Sequence, residues 1–359
     1  MTQTFFASLA RIADLDTNPY DVRALEKTEW MWGDYVHTEV CGTRSDLYAV
    51  ESCDGEMIPV QAGDQIIGAL GHRAATLEGV GSYQDVEKGE MHALTSAALI
   101  GVFTSYSILL PKPLALRYRG HILRDGKKVK MSQFAIRGSI SGYSAATILI
   151  IGTSMSAGKT VTGRRLCEVL SSAGKHVVGA KLTGAGRYRD IASFKRAGAI
   201  KVFDFVDAGL PSTVVEESDF RAAIRPLISH IDQIKPDFVV AETGASPLEP
   251  YNVAAAMDEL GDTICCTILA ASDPYAVVGV EKAFGTKPDL VTGPAANTSA
   301  AVALVKKLTG VPAINVIDRN TLPEFRAFLE RKLALDLTDV SLVNNSRGDQ
   351  TNHAHSGGR

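Results

Sequence analysis

The chain has 359 residues, which is longer than one average domain and predicts two domains of about 100–200 residues each. Hydrophobic residues make up 45% of the chain and charged residues 21%, the usage of a folded globular protein. The formal net charge of -3 argues against nucleic acid or an anionic membrane as a partner, so we expect a small molecule instead.

The sequence shows no signal for export or membrane insertion. Residues Met1–Ser8 carry neither a basic leader nor a long apolar stretch, and no run approaches the ~20 apolar residues of a membrane helix. The five cysteines are an odd number without a C-x-x-C pair, which predicts reduced thiols. We therefore expect a cytoplasmic protein.

Residues 1–140 are predicted to form a smaller β-rich domain, a barrel or a sandwich, with a helical or irregular start over residues 1–35. Asp54-Gly55 and Asp125-Gly126 are hairpin signals that separate short apolar runs. These runs are the predicted strands of this half: Leu47–Val50, Gln65–Leu70, Ala98–Phe103, Ile108–Leu110 and Leu114–Tyr118.

A Gly- and Ser-rich segment at Arg137–Ser144 marks the predicted domain boundary, and the pattern changes after it. Apolar runs without alternation now alternate with amphipathic stretches of helical length, which indicates an α/β domain with a parallel sheet over residues 141–335. The predicted strands are Thr147–Ile151, His176–Ala180, Val202–Val206, Phe238–Ala241, Cys265–Ala270, Asp289–Val291 and Ala313–Ile317. Residues 336–359 are polar and predicted to be disordered.

The first strand of this domain leads directly into Gly152-Thr-Ser-Met-Ser-Ala-Gly-Lys-Thr160, and helical spacing follows. Small residues let the backbone N–H groups of such a loop surround a phosphate at a helix N-terminus. Lys159 is predicted to span the β- and γ-phosphates and the Thr160 hydroxyl to ligate Mg²⁺. The loop therefore predicts a P-loop NTPase domain that uses ATP and Mg²⁺. Its predicted nucleotide-binding residues are Gly152, Thr153, Ser154, Met155, Ser156, Ala157, Gly158, Lys159, Thr160 and Val161.

This loop resembles that of the dethiobiotin synthetases and related P-loop ligases of the SIMIBI class. Two later segments resemble the same family in the same order, Ala180-Lys-Leu-Thr-Gly184 and Ala241-Glu-Thr-Gly-Ala-Ser-Pro247. The resemblance covers about residues 147–317. It implies that Lys181 meets the substrate or the γ-phosphate, that Glu242 helps to hold Mg²⁺, and that the adenine lies near Asn315.

The chain also departs from that family at Ser154. Dethiobiotin synthetases carry an aspartate there that contacts their diamine, so the resemblance does not extend to that substrate. The related deviant Walker ATPases carry a second lysine there, so their partner-switching subgroup is disfavoured too.

Polar residues follow several predicted strands, and such strand ends converge at the carboxyl edge of a parallel sheet, where ligands bind. Glu242 is predicted as an Mg²⁺ ligand or water-ordering base, with a strand-end cap as the alternative. Asp190 is a second metal candidate, and a helix N-cap is its alternative. Asp273 either borders the site or caps the following helix.

The remaining candidates concern the substrate. Lys181 lies at the end of a predicted strand, where it is expected to contact the substrate or the γ-phosphate. The alternative is that it is a solvated strand terminus without a role in binding. Arg187 and Arg189 are suited to bind a carboxylate or phosphate through bidentate hydrogen bonds. An equally supported interpretation is that both are solvated charges on a surface loop. The residues predicted to donate hydroxyl groups to the substrate are Thr183, Thr243 and Ser246.

With Lys159, Lys181 and Glu242 as catalytic residues, three functions remain open. The first is an ATP-dependent ligase that phosphorylates a carboxylate or carbamate and forms an amide or urea C–N bond. The second is a small-molecule kinase. The third is a regulatory or metal-delivering NTPase. We expect a small carboxylate or amine as the substrate and a homodimer as the assembly.

Overall fold

The computed structural model describes residues 2–41, 49–244 and 246–337. The part before residue 140 is built from strands and short 3-10 helices. The strands are β1 (Thr4–Phe6), β2 (Asp21–Arg23), β3 (Tyr35–Val40), β4 (Ala49–Glu51), β5 (Met57–Pro59), β6 (Gln65–Leu70), β7 (His72–Ala75), β8 (Gly79–Ser82), β9 (Glu90–Ala93), β10 (Leu99–Tyr106), β11 (Ala115–Arg124) and β12 (Lys127–Lys128). The 3-10 helices are Ser8–Ala10, Lys27–Glu29 and Met131–Gln133.

Five of these strands close into a small barrel. They follow the order β6-β3-β11-β9-β10, and β10 pairs with β6 in parallel to complete the ring. Gly68 lies at the closure, where an added Cβ would be 2.3 Å from the Ala98 carbonyl oxygen, so the two backbones approach too closely for any side chain. The predicted β-rich domain is confirmed, and it is a barrel.

One local prediction in this half is wrong. Ile108–Leu110 is a turn instead of a strand, and Ile108 is 92% exposed. Pro111 and Pro113 follow it, and neither has an N–H with which to extend a ladder. The first 35 residues contribute β1 and β2 to the sheet as well as irregular chain and 3-10 turns. Leu47 and Tyr48 lie outside the described residues.

The second part is a parallel sheet of six strands with helices. Its strands are β13 (Thr147–Gly152), β14 (Val177–Thr183), β15 (Lys201–Asp204), β16 (Phe238–Thr243), β17 (Ile264–Ala270) and β18 (Leu290–Thr292), in the order β15-β14-β16-β13-β17-β18. The helices are α1 (Lys159–Ser172), α2 (Tyr188–Arg196), α3 (Glu217–Gln233), α4 (Val253–Leu260), α5 (Pro274–Phe284), α6 (Ser299–Thr309) and α7 (Leu322–Leu333). The predicted α/β domain with a parallel sheet is confirmed.

The central strand β13 shows why its sequence has no apolar alternation. Leu149 and Ile151 belong to one hydrophobic core, and Ile148 and Ile150 belong to another. Successive side chains point to opposite faces of a sheet, so both faces of β13 are buried. Its neighbours are β16 and β17, which places the loop that follows β13 at the middle of the carboxyl edge.

The prediction of a strand at Ala313–Ile317 is wrong. Only one bridge forms there, between Val291 and Ala313, with Ile314 N–H donating to the Val291 carbonyl at 3.0 Å. The next carbonyl groups bind elsewhere, because Asn315 accepts from the Thr321 hydroxyl and Val316 from Arg165. These bonds turn the chain away from the sheet.

The barrel and the parallel sheet share a hydrophobic core. One cluster includes Leu9 and Tyr35 from the first part and Phe205 and Leu210 from the second. The predicted boundary near residue 140 therefore stays a prediction, and so does the disordered tail, of which residues 338–359 lie outside the described residues. In the described part of the chain, no helix is long and apolar enough to cross a membrane.

Candidate active site

The phosphate loop connects β13 to α1, as the sequence predicts, and the neighbouring strand β17 holds it in place. Thr153 N–H donates to the Ala270 carbonyl at 3.1 Å, and Ser272 N–H donates to the Thr153 hydroxyl at 3.0 Å. The N–H groups of Lys159, Thr160 and Val161 come before the first hydrogen bond of α1, which Thr162 N–H donates to the Gly158 carbonyl at 3.1 Å. The start of α1 therefore presents a row of free donors, which is the arrangement that binds phosphate.

Two glycines allow the loop to close tightly. An added Cβ at Gly152 would be 2.7 Å from Cδ of Lys159, because the lysine side chain lies directly over that glycine. Gly158 has a φ of 98°, which glycine adopts without strain. With this geometry Lys159 Nζ donates to the Ser154 carbonyl at 2.6 Å across the loop.

A buried group of charges lies beside the loop, on the neighbouring strands. Lys181 on β14 is in register with Glu242 on β16, and the two side chains belong to residues 3% and 2% exposed. Lys181 Nζ donates to Asp190 Oδ2 at 2.6 Å, and the Thr160 hydroxyl lies 3.4 Å from Glu242 Oε1. The structure thus brings all three predicted catalytic residues and all three predicted metal residues together.

Burial and mutual charge set the proton affinities of this group. Burial lowers the pKa of Lys159, since the desolvated ammonium is disfavoured. Burial would also lower the pKa of Lys181, but the carboxylates of Asp190 and Glu242 overcome it and raise that pKa. Burial raises the pKa of Glu242, while Lys181 and Arg187 hold the pKa of Asp190 low against its own burial. Lys181 is therefore a fixed positive charge.

The structure shows whether Asp190 and Asp273 cap helices, which was the alternative interpretation of each. Asp190 is the third residue of α2, whose N-cap is Arg187, so the N-cap interpretation of Asp190 is wrong. Asp273 caps α5, because its carboxylate accepts from the N–H groups of Tyr275 and Ala276. Within the described residues, no group of three or more His, Cys, Asp or Glu side chains is arranged to hold a metal ion by itself.

The predicted hydroxyl donors are engaged within the fold. Thr243 donates to the Ile150 carbonyl at 3.1 Å, and the Thr183 hydroxyl accepts from Gly244 N–H at 3.2 Å. Both threonines are fully buried. Ser246 lies in the loop after β16, where its N–H donates to Glu249. Their role toward a substrate stays a prediction.

Arg187 and Arg189 face a cavity of about 460 Å³ that also contacts the phosphate loop, Lys181, Asp190 and Glu242. Asn315 does not line this cavity and is half-buried beyond β18. Its predicted contact with the adenine remains untested.

The barrel supplies the opposite wall of this cavity, which sequence reasoning missed. Arg73 and Glu78 form an ion pair there, Glu78 Oε1 lies 3.4 Å from the Ser156 hydroxyl, and Thr95 and Ser96 complete the wall. These residues carry no local motif, and only the packing of the barrel on the sheet edge brings them to the loop. The cavity is therefore shared by both parts of the chain.

The parallel sheet, the phosphate loop at the start of α1 and the acid on the adjacent strand define a P-loop NTPase fold. No protein-family model matches the chain, and no curated protein matches it significantly.

Solved structures share parts of the fold. They include HypB from Helicobacter pylori in complex with nickel, with a TM-score of 0.35, 17% identity and coverage of 53% of this chain and 88% of that one. Chloroplast FtsY from Physcomitrella patens matches with a TM-score of 0.34 and 14% identity over 51% of this chain. This chain spans 62% of the length of that FtsY. A ParA family ATPase from Chlorobium tepidum TLS matches with a TM-score of 0.28 and 12% identity, over 54% of this chain and 96% of that one. Such low TM-scores carry no inference about activity.

Proposed function

We propose that this chain is an ATP- and Mg²⁺-dependent ligase that phosphorylates a small carboxylate or carbamate and joins it to an amine. The observation that carries the proposal is the cavity of about 460 Å³ beside the phosphate loop. Its walls combine the phosphate-binding residues with Lys181, Arg187 and Arg189, so an anionic acceptor has cations to bind and room for a small molecule.

The loop residues suit the nucleotide. The free N–H groups at the start of α1 are placed to receive phosphate oxygens, and Lys159 can exchange the Ser154 carbonyl for a phosphate. Hydroxyl and carboxylate oxygens are the ligands that Mg²⁺ prefers, and Thr160 and Glu242 place both types within 3.4 Å of each other. Mg²⁺ bound there would neutralise charge on the β- and γ-phosphates.

In the proposed reaction, an acceptor oxygen attacks the γ-phosphorus while the bond from that phosphorus to the β–γ bridging oxygen breaks. ADP leaves with the electron pair, and an acyl or carbamoyl phosphate remains. Lys181 is a buried cation next to this point and stabilises charge on the transferred group. An amine nitrogen then attacks the activated carbon, phosphate leaves with the C–O electron pair, and the nitrogen releases a proton.

A small-molecule kinase shares the first step and releases the phosphorylated product, so it is the second candidate. A regulatory or metal-delivering NTPase is the third, and no observation favours it over the other two. ATP in preference to GTP, the homodimer and the cytoplasmic location stay predictions.

The test is phosphate release by the purified chain with Mg²⁺-ATP, alone and with small carboxylates plus ammonia. We expect release to depend on the acid, and the acid to become an amide. Glu242→Gln should retain nucleotide and lose about 10²-fold or more of the turnover, because the metal site loses a charged ligand. The exposed Glu324→Gln is the matched control. Full turnover without any acid, or in Glu242→Gln, would contradict the proposal.

A further inference from the structure

A second cavity, here called the barrel compartment because β9 and β10 contribute to its wall, adjoins the active-site cavity, and all of its lining except Arg187 comes from the first part of the chain. It has a volume of about 260 Å³. Both cavities are lined by the same five residues, Arg73, Glu78, Thr95, Ser96 and Arg187. The two are therefore neighbouring compartments of one space that extends from the phosphate loop along the first part of the chain.

The walls of the barrel compartment are largely apolar. The Phe103 and Tyr106 rings lie 6.1 Å apart on one wall, and Met57 and Leu110 add aliphatic surface. Pro111 belongs to the same wall. Such a surface favours an apolar body, because burying it removes hydrocarbon from water on both sides.

The junction between the compartments contains two arginines in different states. Arg73 is engaged, because it pairs with Glu78, donates to the Leu94 carbonyl and lies 5.9 Å from the Phe103 ring centroid. The Arg187 side chain is exposed, and its charge acts on the nearby Asp190 carboxylate, whose direct partner is Lys181. Arg187 is thus the guanidinium that is available to an anion at the junction.

We propose that the acceptor is a monocarboxylic acid with an apolar body, whose body occupies the barrel compartment while its carboxylate lies at Arg187 and faces the phosphate loop. This inference rests on the proposed function and specifies its substrate class. The compartment is smaller than the roughly 300–1,000 Å³ of pockets for drug-sized ligands, so the body is on the scale of a phenyl ring or a short carbon chain.

A dicarboxylate is the competing occupant. Lys112 also borders the barrel compartment and is the cation that a second carboxylate would need. It is exposed, whereas the surrounding wall is mostly apolar, so that carboxylate would lose water without a buried partner. The geometry favours a single carboxylate.

The test measures binding to the full chain by calorimetry, with Mg²⁺ and a non-hydrolysable ATP analogue present. The probes are 3-phenylpropionate, glutarate as the dicarboxylate, and 3-phenylpropan-1-ol as the body without a charge. We expect 3-phenylpropionate to bind at least ten-fold more tightly than either. Equal or tighter binding of glutarate or of the alcohol, or no binding of 3-phenylpropionate, overturns the proposal.

Variants assign the two ends of the probe. Arg187→Gln should weaken 3-phenylpropionate at least ten-fold and leave the alcohol unchanged, while Tyr106→Ser should weaken both probes. Ile108→Ser lies on the adjacent turn, is not part of the cavity wall, and is the control that should change neither. Unchanged binding of 3-phenylpropionate in both Arg187→Gln and Tyr106→Ser overturns the proposal.

Phosphate release in the same samples, with ATP in place of the analogue and with ammonia added to displace the phosphate, separates this inference from the proposed function. If 3-phenylpropionate binds as expected but its carboxylate is never phosphorylated, the binding compartment stands and the ligase proposal fails. If other acids stimulate turnover equally in wild type, Arg187→Gln and Tyr106→Ser, the ligase proposal stands and the compartment fails.

Discussion

Lys159 illustrates how one residue can serve a ligand more than the fold. It is buried, its Nζ donates to the Ser154 carbonyl, and burial lowers its pKa. A desolvated ammonium with so little compensation contributes little to stability. Its position at the loop instead provides charge for the nucleotide phosphates.

Lys159→Ala should therefore lose ATP affinity by about 10²-fold or more while its free energy of unfolding changes by less than about 1 kcal/mol. Titration with a fluorescent ATP analogue and urea denaturation measure the two quantities. The exposed Lys282→Ala is the control for loss of a lysine. Unchanged affinity for ATP in Lys159→Ala would remove the phosphate loop from nucleotide binding.

Residue-scale reasoning from sequence succeeds where the signal is local. Lys159 and Thr160 are adjacent in a loop whose glycine spacing is enough to predict a phosphate-binding conformation. Glu242 directly follows a buried apolar run, which predicts its place at a strand end. Arg73 had no such signal, because it lies on β7, 82 residues before Met155 of the loop in the sequence. Asp190 was ambiguous for a related reason, since the first residue of α2 cannot be read from composition alone.

Helix α2 depends at the element scale on a residue of β4, which pairs with β5 in a separate two-stranded sheet. Glu51 is fully buried, and its Oε1 accepts from Tyr188 N–H at 2.6 Å and from the Ser8 hydroxyl at 2.5 Å. Tyr188 is the first residue of α2, so Glu51 satisfies one of the free donors at that helix start. The same helix carries Asp190 and begins next to Arg187, so this contact connects β4 to the active site.

Glu51→Ala should lower the free energy of unfolding by about 1–3 kcal/mol, because the buried Ser8 hydroxyl and Tyr188 N–H would both lose their acceptor. Glu51→Gln keeps an acceptor oxygen and should lose less. Urea denaturation measures both, with the exposed Glu56→Ala as the control on the same hairpin. A stability of Glu51→Ala equal to wild type would show that this bond does not support α2.

Apolar runs correctly predicted strands only where the folded chain provides a neighbouring strand for them to pair with. The continuous apolar runs of β13 and β16 indicated a buried parallel sheet and the structure confirms it. Ile108–Leu110 and Ala313–Ile317 are equally apolar but are not strands, because hydropathy does not report whether backbone groups find a ladder. The cap from Glu51 is a contact between distant parts of the chain, which no local pattern encodes.

A buried ion cluster joins the two parts at the scale of the whole molecule. Arg11 in the N-terminal segment lies 2.7 Å from Asp204 Oδ1 and 2.9 Å from Asp207 Oδ1. Burial, assisted by the nearby Asp204 and opposed by Arg11, raises the pKa of Asp207 to about 6. Tyr188 also contacts the cluster, since the Arg11 guanidinium lies 4.7 Å from its ring centroid.

This cluster predicts a pH dependence of stability. Between the unfolded pKa of 3.8 and the folded pKa of about 6, the folded chain binds a proton at Asp207 that the unfolded chain releases. The resulting stabilisation is complete below the unfolded pKa and is lost as pH rises through about 6. Asp207→Asn removes this titration.

The difference in unfolding free energy between wild type and Asp207→Asn should therefore shift in favour of the variant by about 1 kcal/mol from pH 5 to pH 7.5. Urea denaturation across that range measures it, and the exposed Asp262→Asn should show no such shift relative to wild type. A constant difference, or one of opposite sign, would contradict the raised pKa of Asp207.

The most direct test of the central claim is a crystal structure of the chain with Mg²⁺ and a non-hydrolysable ATP analogue. We predict the β- and γ-phosphates on the N–H groups at the start of α1, with the γ-phosphate next to Lys159 and Lys181 and Mg²⁺ bound by Thr160 and Glu242. Phosphates bound away from the loop between β13 and α1, or Mg²⁺ without Glu242 among its ligands, would contradict it.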